Sequence, residues 1–217
     1  MTVKDSCFIL HRFRSGENNL IAKVYCKRLG QRNLFVREYF LFKTFKVGTF
    51  EPFNFIDGYF SSINGYFQPI DLTKVAFLSK KISQNFYRFE FMTKVSKAVL
   101  KFVRYPDDEI FELLKRATEI DGFFNFNFAR FLLNLSNLLG FSIQNLNRAG
   151  WVNILDLGSC SKEDIGKGYC IFIHPRVLST LKVIAEENSK PYEISKRDME
   201  KIEKFFNRFL TFQVDNF

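Results

Sequence analysis

Apolar and polar positions alternate with a period near two through most of the first 75 residues, the spacing of a strand with one buried face. Cys7-Phe8-Ile9-Leu10 starts one such run, Leu20–Cys26 forms a second and Asn33–Phe40 a third. Glu51–Ser61 and Tyr66–Leu72 supply the fourth and fifth, joined by Ser62-Ile63-Asn64-Gly65. Asn-Gly between apolar runs predicts a tight hairpin, because both residues tolerate the positive φ of a type I′ turn. Gly16 and Gly30 punctuate the earlier connections. Five short strands with no long helix among them predict a small closed barrel, which leaves no exposed sheet edge.

From about residue 76 the period changes. Ile82, Phe86, Phe89, Val95, Val99 and Val103 advance by helical steps until Pro106. Asp107-Asp108-Glu109 then places carboxylates where a second helix has its positive end. A third helix is expected from about Asn127 to Leu139, stopping at Gly140. Residues 141–175 are rich in glycine and irregular; Pro175 opens a helix to about Asn188. Ser195 fits the N-cap of a last helix, with Met199, Ile202, Phe205, Phe206 and Phe209 as its apolar stripe. The expected class is α+β: an OB-fold barrel over residues 1–75, then a helical domain over 76–217 with an irregular insertion at about 144–175.

Charge gives this plan a direction. The chain of 217 residues carries a formal charge of +9, so a polyanionic partner or an acidic membrane surface fits. Lys4, Arg12, Arg14, Lys23, Lys27, Arg28, Arg32, Arg37, Lys43 and Lys46 face only Asp5, Glu17 and Glu38, a net of +7 over residues 4–46. Residues 151–217 carry ten basic and ten acidic residues and sum to zero. Within the third strand and beyond it, Arg32, Phe35, Arg37, Tyr39, Phe40, Phe42, Lys43, Phe45 and Lys46 interleave aromatics with cations. On a strand Phe35, Arg37 and Tyr39 share a face that could pair phosphate contacts with base stacking. The same aromatics could instead fill the barrel, leaving the cations outside. With 29 Phe and one Trp in the chain, most phenylalanines are expected to be core filler.

Catalytic groupings are sparse. His11 and His174 stand far apart, each without a metal-binding partner at helical spacing. Asp107, Asp108, Glu109 and Glu112 are the densest carboxylates and could hold Mg²⁺ in a nuclease, but their place after Pro106 suits helix capping. Neither a GxxxxGK[ST] nor a GxGxxG motif occurs. Cys160, Cys170 and His174 offer three zinc-type ligands, yet nine residues separate the thiols where structural sites use close pairs. No catalytic residue, cofactor or metal is expected. The four cysteines suit free thiols in a reducing cytoplasm. No secretory signal or membrane span is expected.

Ile9-Leu10, Gly16-Glu17-Asn18-Asn19-Leu20, Tyr25-Cys26, Leu29-Gly30, Phe35-Val36-Arg37 and Glu51-Pro52-Phe53 together resemble the N-terminal domain of the bacterial recombination mediator RecO family. Ile110-Phe111-Glu112-Leu113-Leu114 and Phe131-Leu132-Leu133-Asn134-Leu135, followed by Leu139-Gly140-Phe141, are similar to that family's helical stretch. The closing helix from Lys196-Arg197 to Phe212 also falls where family members have one. The similarity spans essentially the whole chain through loose motifs. Two departures stand out. Many family members carry a four-cysteine zinc finger after the LG-aromatic segment, whereas residues 144–174 hold only Cys160 and Cys170, so the resemblance implies a loop-rich, degenerate zinc-finger-like insertion there. The glycine usual after the third strand's basic residue is replaced, Arg37 being followed by Glu38 and Tyr39.

The resemblance implies a protein that binds single- and double-stranded DNA and anneals complementary strands. It also implies partnership with RecR, and help in loading RecA onto DNA coated by single-strand-binding protein. The candidate DNA contacts are Arg12, Arg14, Lys27, Arg28, Arg32, Arg37, Lys43 and Lys46. The family binds the acidic, apolar C-terminal tail of the coating protein on its helical domain. Lys80, Lys81, Arg88, Lys94, Lys97 and Lys101 are the candidates to receive it. A cytoplasmic, nucleoid-associated location would follow. The competing readings are an adaptor that holds only proteins and a metal-dependent nuclease.

Overall fold

The computed structural model describes residues 2–39, 45–46, 48–63, 66–186 and 189–216, and the chain divides into two compact units, Met1–Ile120 and Asp121–Phe217. The class is α+β. Strands β1 (Thr2–Ser15), β2 (Asn19–Cys26), β3 (Gly30–Val36), β4 (Phe55–Ile63) and β5 (Tyr66–Ala76) close into a barrel of order β1-β2-β3-β5-β4. The β3–β5 pairing is parallel and every other pairing in the barrel is antiparallel, the strand order of an OB-like barrel. The Asn64-Gly65 turn lies outside the described residues. The fourth strand starts at Phe55 rather than Glu51, because residues 51–53 turn and Phe53 adopts a φ of 76°.

Alternation builds the interior. Cys7 and Ile9 of β1, Leu20, Ala22, Val24 and Cys26 of β2, Leu34 and Val36 of β3, and Ile56 and Phe60 of β4 pack with Phe50. Cys7 and Cys26 lie directly opposite each other on β1 and β2, and their sulfurs are joined; Cys160 and Cys170 are joined likewise. The expected free thiols are therefore replaced by two disulfides. Asp5 shows what burial can hide. Its carboxylate accepts backbone N–H bonds from Ser6 at 2.8 Å, Arg28 at 3.1 Å and Leu29 at 3.1 Å, which ties the β2–β3 turn to β1. Burial pushes its carboxyl above the usual range against the pull of those donors.

The first unit does not end with the barrel. Helices α1 (Ser79–Ser83), α2 (Phe86–Phe102) and α3 (Asp108–Glu119) follow β5, and the compact unit reaches Ile120, beyond the expected boundary at residue 75. The reason is apolar: Phe8, Phe55 and Phe111 form a chain of ring contacts, with centroids 4.6 and 5.6 Å apart, that fastens α3 to the outside of β1 and β4. Tyr25 donates its hydroxyl to the carbonyls of Tyr105 at 3.1 Å and Asp107 at 3.3 Å. The expected single stripe from Ile82 is broken at Asn85, whose side chain caps α2 by accepting from the Arg88 N–H. Phe86 and Phe89 consequently stand exposed while Phe91, Met92, Val95 and Val99 are buried.

Burial pushes the Tyr25 phenol up to about 12. An unfolded tyrosine titrates near 10, so the stability tied to the neutral phenol is complete below pH 10 and lost as pH rises toward 12. The melting temperature is expected to fall across that window, and the fall to be shallower in Tyr25→Phe. Melting curves at stepped pH check it.

The second unit holds α4 (Phe124–Leu138), a two-stranded ribbon of β6 (Gly150–Asn153) and β7 (Cys170–Ile173), the short α5 (Lys162–Gly166), α6 (Pro175–Ala185) and α7 (Lys196–Asn216). Met199, Ile202, Phe205, Phe206 and Phe209 are all buried, as their spacing predicts. Ser195 Oγ accepts from the Asp198 N–H at 3.1 Å and caps α7. The segment expected as an irregular insertion contains this ribbon and α5. Among the described residues, no helix is long and apolar enough to cross a membrane.

Candidate nucleic-acid interface

The decisive local feature is a bulge in β1. Ile9 pairs with Val24, but the next pair is His11 with Lys23, so the register shifts across Leu10. Strand side chains alternate with period two, so one extra residue moves everything beyond it to the opposite face. Ile9 points into the barrel; His11 and Phe13 stand outside it. Arg12 and Arg14 take the interior parity at the open end of the barrel, opposite Ala22 and Leu20.

Across β1, β2 and β3 the outer face then forms rows. His11, Lys23 and Asn33 are mutual register neighbours, and so are Phe13, Ile21 and Phe35. Phe13 is 42% exposed, high for a ring on a sheet. The row of Tyr25 and Gln31 is covered, since Gln31 Nε2 donates to the Leu100 carbonyl at 3.2 Å and Tyr25 reaches the α2–α3 connection. Among the described residues, the rest of the outer face offers an apolar, partly aromatic row beside a row of imidazole, ammonium and amide, with exposed Arg37 just past the end of β3. Flat bases gain from the first and phosphates from the second.

The sequence candidates distribute unevenly around this face. Arg14 closes the β1–β2 hairpin by donating Nε to the Glu17 carbonyl at 2.8 Å. Arg12 is paired with Glu51. Arg37, Arg14 and Arg12 belong to the hairpin end, because Leu20 pairs with both Arg14 and Val36. Lys27 and Arg28 sit in the β2–β3 turn at the other end, six residues along β2 and about 20 Å away, with Lys27 3.8 Å from Asp108. Arg32 is exposed midway along β3, but it pairs in register with Val24 and shares the parity of Leu34 and Val36, opposite to that of Asn33 and Phe35. Lys46 is exposed in the following loop, its carbonyl accepting from Thr49. Lys43, Phe40 and Phe42 lie outside the described residues.

The expected shared face of Phe35, Arg37 and Tyr39 holds only in part. β3 ends at Val36, and Tyr39 packs against the barrel interior with its ring 5.6 Å from Phe50. Phe45 does the same at 5.2 Å. These two are filler, while Phe35, between the buried Leu34 and Val36, is directed outward. Sequence reading missed Phe13 and His11 as members of the site, because nothing in the alternation marks the bulge at Leu10.

Other candidate groups have local duties. Asp107 caps α3 by accepting from the Ile110 N–H at 2.9 Å, and Glu112 pairs with Lys115 at 3.0 Å. His174 caps α6, Nδ1 accepting from the Arg176 N–H at 3.3 Å. Among the described residues, the one cluster with metal-ligand spacing is Asp5, Cys7 and Cys26, whose sulfurs are bonded to each other. Of the partner-tail candidates, Lys80 and Lys81 are exposed on α1; Lys97 and Lys101 are exposed on α2, and Lys94 pairs with Glu90 at 3.5 Å. Arg88 is not on that surface: it is 4% exposed and donates to the Thr118 carbonyl at 3.4 Å.

No protein-family model matches the chain. It is similar to an uncharacterized protein of Aquifex aeolicus (strain VF5), 27% identical over 223 residues that take in 98% of this chain and 100% of the relative. The likeness thus runs through both units.

Proposed function

We propose that this protein is a DNA-binding recombination mediator that holds single strands on the outer face of β1, β2 and β3 and pairs complementary ones. The observation that carries the reading is the Phe13–Ile21–Phe35 row beside His11–Lys23–Asn33 on the outer face of an OB-like barrel. Arg14, Arg37 and the cations at the far end of β2 extend a positive border in both directions. The resemblance to the RecO family supplies the pathway: double-stranded DNA as a second ligand, RecR as partner, and RecA loaded onto strands coated by single-strand-binding protein. The exposed lysines of α1 and α2 would receive that protein's acidic tail.

An annealing assay tests the proposal. Complementary labelled strands incubated with the protein and Mg²⁺ are expected to form duplex faster than strands alone and to remain full length. Shortened strands would favour a nuclease. An unchanged annealing rate, with no strand bound, would favour the protein-holding adaptor.

A further inference from the structure

The zero net charge of residues 151–217 hides a segregation. On α7, Arg197, Lys201, Lys204 and Arg208 recur at steps of four, three and four, so they form one stripe about 16 Å long. Lys201, Lys204 and Arg208 border a cavity of about 280 Å³ that no acidic residue lines. Lys201 lies 3.5 Å from Asp198, and Arg208 donates to the Gly168 carbonyl at 3.0 Å, which steadies both without burying their charge.

The opposite wall is aromatic. Trp151 of β6 and Phe172 of β7 are direct register partners, with ring centroids 5.7 Å apart. Their neighbours Val152, Ile171 and Ile173 are buried, but Trp151 and Phe172 are 50% and 53% exposed. The fold therefore spends its ribbon's solvent face on two large rings, where polar residues would serve stability as well.

We infer that this face of the second unit is a binding site for single-stranded nucleic acid. Bases rest on Trp151 and Phe172, and the phosphates run along Lys201, Lys204 and Arg208. Aromatic side chains paired across a strand ladder, with cations at the border, are how sheet surfaces take unstacked bases. An acidic peptide would match the charge. The rings, however, are displayed on an open ladder, which suits flat bases better than branched apolar side chains. The inference uses none of the barrel residues and does not rest on the barrel reading.

Trp151 is the chain's single tryptophan, so its emission reports on this site alone. The full chain is titrated at low salt with end-labelled oligothymidylate, following label anisotropy and tryptophan emission together, and in parallel with polyglutamate. Oligothymidylate is expected to quench the emission. The quench-detected affinity should fall about tenfold or more in Lys204→Glu/Arg208→Glu, and by less in Lys204→Gln, which keeps the Arg208–Gly168 bond. In Lys23→Glu/Arg37→Glu the quench should persist. Binding by anisotropy without quenching would overturn the inference, as would quenching by polyglutamate but not by the oligonucleotide. Undiminished quenching in both α7 variants would overturn it equally.

Discussion

Phe13→Ala combined with Phe35→Ala is expected to weaken binding of a short single strand about a hundredfold, since each base–aromatic stack is worth ~1–3 kcal/mol. Phe13 should account for much of the loss, being 42% exposed on the outer face. Its removal opens no interior cavity, so Phe13→Ala alone should melt close to wild type. Phe35 is half-buried and will cost some stability as well. Anisotropy of a labelled oligothymidylate checks affinity, and a melting curve on each variant separates binding from folding. Tyr39→Leu serves as the contrast: its ring meets Phe50 and the barrel interior, so it should alter stability more than affinity.

Gly30→Ala is expected to lower stability strongly. Gly30 opens β3 with a φ of +66°, where a side chain is strained. A Cβ there would also lie 2.7 Å from the Pro106 nitrogen, 2.8 Å from the Tyr105 carbonyl carbon and 2.9 Å from the Arg104 oxygen. All three neighbours are backbone, so no rotamer change relieves the overlap. Strain and overpacking together should cost about 2–5 kcal/mol, read as a lowered urea midpoint at unchanged slope. The same contact explains why the barrel and the α2–α3 connection belong to one unit. A midpoint equal to wild type would contradict the close packing of the β2–β3 turn on that connection.

How far the sequence foretold this molecule can be argued from single residues. The five strands were legible, because burying one face of a strand imposes a period of two on the chain. The cap at Ser195 and the stripe of α7 were legible for the same kind of reason: each is written by local spacing. The bulge at Leu10 was not. It adds one residue to an otherwise regular alternation, and only His11's pairing partner, Lys23 rather than Ala22, shows that the phase has changed. His11 and Phe13 were therefore assigned no place in the site, although their neighbours were. Tyr39 failed in the opposite sense: the strand ends at Val36, and beyond it parity no longer says which way a ring points.

Charge counting misled in a parallel way. A net of +7 over residues 4–46 treats every acid as a surface acid, yet Asp5 is buried beneath three backbone donors. A sum of zero over residues 151–217 treats charge as mixed, yet α7 sorts four cations onto one stripe. Sums discard direction, and helical or strand geometry restores it. The disulfides escaped notice for a related reason, since Cys7 and Cys26 are 19 residues apart and meet only through the β1–β2 register.

The central claim is that the outer face of β1, β2 and β3 contacts the phosphates and bases of a single strand. Its most direct test is the affinity for a short labelled oligothymidylate across a salt series, in wild type and in Lys23→Glu/Arg37→Glu. Each phosphate contact contributes about −0.7 to the slope of log affinity against log salt for single strands. The two reversals are predicted to weaken binding strongly and to make the slope shallower by about one to two. Equal affinity and equal slope in the two proteins would contradict the account.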